Sequence, residues 1–75
     1  MNIDMELDTR GLNCPLPILK AKKSIAQMSS GQVLRVTATD PGSVKDMEAF
    51  CKQTGNQLLE FLNEGGDFVF VVQKQ

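Results

Sequence analysis

Histidine, tryptophan and tyrosine are all absent from this chain of 75 residues, and cysteine occurs only twice. Without an imidazole there is no His-activated nucleophile, and two thiols alone cannot close a tetrahedral Cys/His zinc cluster, so no metal site is expected. Aromatic residues make up 5% of the chain, all of them phenylalanine, and no Gly/aromatic run of the kind that stacks RNA bases is present. Charge of one sign is lacking too: eight Lys and Arg against nine Asp and Glu leave a net charge of -1, which supplies no overall field for a polyanion. Direct binding of nucleic acid is therefore not expected. Long apolar runs are missing as well. The opening Met-Asn-Ile-Asp-Met-Glu-Leu-Asp-Thr alternates apolar and polar or acidic residues, unlike a signal segment, and no later stretch has the length needed to cross a bilayer. A cytoplasmic protein without a membrane partner is the expectation. In that compartment thiols stay reduced, and the wide spacing of Cys14 and Cys51 matches no CxxC motif.

What is present suffices for one core. Apolar residues make up 41% and charged residues 23%, a globular balance, and the length predicts a single domain over residues 1–75. Residues 3–8 alternate Ile3, Met5 and Leu7 with Asp4, Glu6 and Asp8, the period of a half-buried strand. After Thr9-Arg10-Gly11-Leu12-Asn13, a helix is predicted to begin at Cys14 or Pro15, because prolines fit the first helical positions. Ile18, Ala21, Ile25 and Met28 form its apolar face, and Ser29-Ser30-Gly31 ends it.

Val33 to Thr39 reads as a second strand with Leu34, Val36 and Ala38 inward. Asp40 then looks like an N-cap before Pro41, with Ser43 and Asp46 as a rival cap. Val44, Met47, Phe50 and Cys51 make the inner face of a second helix that Gly55 stops. Two β-prone runs, Gln57 to Asn63 and Phe68 to Lys74, are joined by Glu64-Gly65-Gly66-Asp67, a hairpin turn. The order βαβαββ predicts a two-layer α+β sandwich, with a four-stranded mixed sheet and both helices on one face. Leu58, Leu62, Val69 and Val71 are candidates for the open face of that sheet, with Leu59, Phe61, Phe68 and Phe70 competing for the inward positions.

Only one side chain has surroundings suited to covalent chemistry. A cysteine at a helix N-terminus feels the positive end of the macrodipole, which favours thiolate, so Cys14 is the candidate nucleophile. With Cys14 as N-cap, Pro15 and Pro17 donate no N–H and only that of Leu16 stays close to the sulfur. Spacing alone leaves a second reading open, in which Cys14 extends the buried stripe of the helix. Cys51 lies between core positions and reads as an inert buried thiol. Arg10, Lys20, Lys22 and Lys23 either form a solvated face or attract an acidic partner, and Lys22 lies near enough the stripe to approach the sulfur. Leu16 and Leu19 point away from the core and are candidates for docking, while Asp8 is expected to organise the loop after the first strand.

Leu7-Asp8, Gly11-Leu12 and Cys14-Pro15-Leu16-Pro17, followed by Gly31, Thr39-Asp40-Pro41, Phe50-Cys51 and Gly55, resemble the signature of the TusA/SirA-like sulfur-carrier proteins over almost the whole chain. The resemblance implies the sandwich shared with the C-terminal domain of bacterial translation initiation factor three. It also implies that Cys14 is the persulfide-bearing residue, supported by Gly11, Asp8 and the flanking prolines. Such carriers take sulfur from a cysteine desulfurase, a rhodanese or another persulfide protein. They pass it to an acceptor protein in tRNA thiolation, sulfur oxidation or cofactor assembly, and need no cofactor for the exchange. Many of them carry a polar or acidic residue between the two prolines, so Leu16 implies a more apolar docking surface. A compact monomer that docks transiently fits such a relay.

Two other functions compete. An RNA- or ribosome-binding module, in which Cys14 is only structural, rests on fold analogy alone. A Cys14–Cys51 disulfide switch requires the two Cα atoms to lie within disulfide reach, which positions on different helices disfavour.

Overall fold

The computed structural model describes residues 2–75. Its elements run β1 (Met5–Thr9), α1 (Leu16–Ala26), β2 (Val33–Ala38), α2 (Gly42–Thr54), β3 (Gln57–Glu64) and β4 (Asp67–Gln73). The expected order βαβαββ is the one observed. The sheet is mixed, in the order β1-β2-β4-β3, with β1 parallel to β2 and both other pairings antiparallel. Both helices pack on the same face.

The core follows from side-chain period. In β2 the residues Leu34, Val36 and Ala38 are fully buried, and Phe70 and Val72 of β4 lie beside them. The helices close over these strands with Ile18, Ala21 and Ile25 from α1 and with Met47, Phe50 and Cys51 from α2. Met28, just past the end of α1, is buried with them. Met5 and Leu7 are half-buried against the same cluster, as their alternation requires.

Three boundaries depart from expectation. The first helix starts at Leu16, with Pro15 as a non-helical N-cap, so Cys14 lies two residues before its start. Cys14 precedes a proline, which disfavours the helical region for it. The Asn13–Leu16 turn is instead closed by the Leu16 N–H, which donates to the Asn13 carbonyl at 2.8 Å. The Cys14–Pro15 peptide bond is cis. Secondly, α2 has Pro41 as N-cap and no side-chain cap at all. Asp40 is not the cap because its carboxylate is directed at Cys14, and the Ser43 hydroxyl donates to the Asp40 carbonyl. Thirdly, an irregularity between Leu58 and Glu60 turns Leu58 toward the helices, so it does not reach the open face. Leu62, Val69 and Val71 do lie there, beside Glu6, Arg35 and Glu60.

The stop at Gly55 and the hairpin turn hold, whereas α1 ends at Ala26, short of the predicted Ser29-Ser30-Gly31. Gly55 adopts φ 80 and its N–H returns to the Cys51 carbonyl at 2.9 Å, which closes the last turn of α2. Gly65 and Gly66, both at positive φ, form the two-residue hairpin turn between β3 and β4.

Candidate functional site

The site lies where the chain leaves the carboxyl ends of the two parallel strands, the usual position for chemistry in sheets with crossover helices. Two connections meet there, the β1–α1 loop and the β2–α2 loop, and hydrogen bonds join them at two points. The Gly11 N–H donates to Thr39 Oγ1 at 2.9 Å, and the Cys14 N–H donates to Asp40 Oδ2 at 3.0 Å. Gly11 has φ 83, a conformation that glycine adopts without strain. At the root of the loop, buried Thr9 donates its hydroxyl to the Thr37 carbonyl at 2.7 Å.

Asp8 organises this loop as expected. Its Oδ1 accepts the Arg10 backbone N–H and Nε, each at 3.0 Å, and its Oδ2 accepts Nη2. The guanidinium and the backbone N–H hold the Asp8 carboxyl down from 3.8 to about 2. Arg10 also faces Asp67 at 3.8 Å, while its side chain stays 56% exposed.

Cys14 is exposed and Cys51 is buried, and both are free thiols. The Cys14 sulfur sits at one end of an open groove of about 260 Å³ between α1 and α2, where it is joined by Ile18, Lys22, Asp46, Phe50 and Gln53. Its thiol donates to Asp46 Oδ2 at 2.8 Å. Gly42, the first residue of α2, lies beside the site: a β-carbon there would stand 3.0 Å from Asp40 Oδ2 and in ordinary contact, 3.7 Å, with the sulfur.

The surroundings of Cys14 oppose the expected activation by a helix terminus. Its thiol is pushed up from its ordinary value, first by the hydrogen bond to Asp46, then by desolvation and by the charges of Asp46 and Asp40. The cause lies in what surrounds the sulfur. Pro15 and Pro17 carry no N–H, and the Leu16 N–H that sequence reasoning reserved for the sulfur is bonded to Asn13. A helix N-terminus is equivalent to roughly half a positive charge. The two nearby carboxylates together bring up to about two negative charges, and the carboxylates prevail. Cys51 is also pushed up, by burial alone, which agrees with an inert role.

The other candidates divide. Pro15 is exposed at the N-cap, whereas Pro17 is buried in the core, so only one of the two prolines belongs to the surface around the sulfur. Leu16 and Leu19 are 45% and 51% exposed and form an apolar patch at the start of α1. Lys20 and Lys23 are exposed to solvent. Lys22 is turned into the groove, with its ammonium 5.8 Å from the centre of the Phe50 ring. Asp40, Gly42 and Asp46 were not identified as site residues. Asp40 and Asp46 were read as helix caps, and no local pattern connects either of them to a cysteine so distant in sequence.

Fold and site together define a small α+β thiol protein, with one solvent-facing cysteine at a loop-to-helix junction and a second sealed in the core. The chain belongs to the TusA sulfurtransferase family, which it matches over residues 5–74. It is 66% identical over 73 residues to the sulfur carrier protein TusA of Allochromatium vinosum, covering 97% of this chain and 96% of that protein. A putative sulfur carrier protein of Neisseria meningitidis is 58% identical over 67 residues, which is 89% of this chain and 90% of that one. The crystal structure of a SirA-like protein from Desulfitobacterium hafniense superposes with a TM-score of 0.82 at 25% identity, over 92% of this chain and 95% of that one. The family, the fold and the role of sulfur carrier follow from these likenesses. A carrier of this family exchanges sulfur with donor and acceptor proteins.

Proposed function

We propose that Cys14 is the residue on which this protein carries sulfur, as a persulfide. The observation that supports this most is the contrast between the two thiols, one exposed at the mouth of a groove and the other in the core. In loading, the Cys14 sulfur attacks the outer sulfur of a donor persulfide. The donor S–S bond breaks, a new S–S bond forms at Cys14, and the donor departs as a thiolate that takes up the proton lost from Cys14. In unloading, an acceptor thiolate attacks the terminal sulfur, and Cys14 departs as a thiolate that is then protonated. The sulfane sulfur moves at constant oxidation level, so no electron acceptor is required.

The donor is a persulfide-bearing protein such as a cysteine desulfurase or a rhodanese, and the acceptor is a second protein in a pathway such as tRNA thiolation. Docking uses the exposed Leu16–Leu19 patch beside Cys14, with Lys20 and Lys23 flanking it. Arg10, paired to Asp8 but still exposed, is a further docking candidate. The relay belongs in the cytoplasm, where thiols remain reduced. The reading is tested by giving protein loaded with labelled sulfane sulfur to an acceptor thiol. The label is expected to pass from wild type and to be lost from Cys14→Ser. Equal transfer from both proteins would sink the assignment.

A further inference from the structure

The surroundings of the Cys14 sulfur are those of a thiol that is held back. Its hydrogen is directed to Asp46 Oδ2 at 2.8 Å, its own backbone N–H is taken by Asp40 Oδ2 at 3.0 Å, and the N–H of Leu16 is closed onto Asn13. The charged groups that face it are Asp46 from α2, Asp40 from the β2–α2 connection and, further along the groove, Lys22 from α1. The Lys22 ammonium is 5.8 Å from the centre of the Phe50 ring, so its charge is directed at that ring. The absence of a side chain at Gly42 leaves room for the Asp40 carboxylate, which a β-carbon there would approach to 3.0 Å.

We propose that Asp46 is a positioning residue that keeps the unloaded Cys14 as a protonated thiol turned toward α2, so that sulfur uptake is slow until a docked partner draws the carboxylate off the sulfur. The proposal rests on the assignment of Cys14 as the carrier residue and adds to it a control over reactivity. A persulfide has no hydrogen on the inner sulfur, so loading abolishes the bond to Asp46. The carboxylate therefore stabilises the empty carrier relative to the loaded one and shifts the exchange toward delivery. A partner that loads this carrier has to bring positive charge to the carboxylate, such as a lysine or arginine beside its persulfide. The upward direction in which the Cys14 thiol is pushed, led by Asp46, agrees with this arrangement.

The test is the pH profile of Cys14 alkylation by iodoacetamide, a neutral reagent whose approach the carboxylate charge does not bias. Peptide mass maps the modified residue, so that Cys51 is not counted. Asp46→Asn is expected to move the midpoint to lower pH and to speed alkylation at neutral pH several-fold, up to about tenfold for every full step in pH by which the midpoint falls. Asp46→Glu, which keeps the charge, is expected to retain the higher midpoint. An Asn variant that titrates with wild type or above it would overturn the proposal, as would a Glu variant that follows the Asn variant. The readout involves no sulfur transfer. A Cys14 that never carries sulfur would fail the loading assay and leave this profile as it is, so the two ideas can fail separately.

Discussion

Gly42 lies directly against Cys14: a β-carbon on Gly42 would stand 3.4 Å from the Cys14 Cβ and 3.0 Å from Asp40 Oδ2. The first turn of one helix thereby packs beside the loop that precedes the other. Gly42→Ala has helix propensity in its favour by up to about 1 kcal/mol, so stability is expected to stay within about 1 kcal/mol of wild type. The added methyl displaces the Asp40 carboxylate, and the Cys14 amide is expected to exchange faster with solvent. An unchanged Cys14 amide in a folded variant would show that the contact is not tight.

The ion pair beside the loop predicts a titration. Asp8 is held at about 2 by Arg10, so Arg10→Met is expected to return its carboxyl toward 3.8, read by NMR of the side-chain carboxyl. The folded value is depressed, so the pair's stabilisation is present above the unfolded value and is lost as pH falls from about 4 toward 2. Both side chains are exposed and screened, so the effect on unfolding is small even where the change in titration is clear.

Burial separates the two thiols. In native protein a disulfide reagent such as DTNB is expected to modify Cys14 alone. Cys51, 7% exposed among core residues, should react only once denaturant unfolds the chain. Two thiols modified at equal rates in the native state would contradict the packing of α2.

Core and docking surface predict opposite outcomes of substitution. Phe70 is fully buried, and Phe70→Ala is expected to cost about 3–5 kcal/mol in denaturant unfolding. Leu16→Glu, at an exposed position, should change stability by no more than about 0.5 kcal/mol while slowing sulfur transfer from a protein donor. Transfer at the wild-type rate would remove the Leu16–Leu19 patch from the docking surface.

The fold could be read from the sequence because its signals are local. The alternation through Met5 and Leu7, the helical stripe Ile18, Ala21 and Ile25, and the glycines at 55, 65 and 66 each declare an element within a few residues. Even there the start of α1 was displaced, because a turn closed by the Leu16 N–H took the place of a helical first turn. The site was half legible. Cys14 stands out beside its prolines, but its hydrogen-bond partners Asp40 and Asp46 reach it only when the second crossover brings α2 alongside α1. Sequence reasoning gives both carboxylates local work as helix caps, and the thiolate expectation weighs the helix dipole without them. Leu58 was misplaced for a similar reason, since the irregularity in β3 appears only in its pairing with β4.

The central assignment is tested most directly by intact mass of wild type, Cys14→Ser and Cys51→Ser after incubation with a polysulfide donor, with and without reductant. Wild type and Cys51→Ser are expected to gain the mass of one sulfur atom and to lose it on reduction, while Cys14→Ser gains none. A Cys14→Ser protein that takes up sulfur as wild type does, or a wild type that takes up none, would contradict Cys14 as the carrier residue.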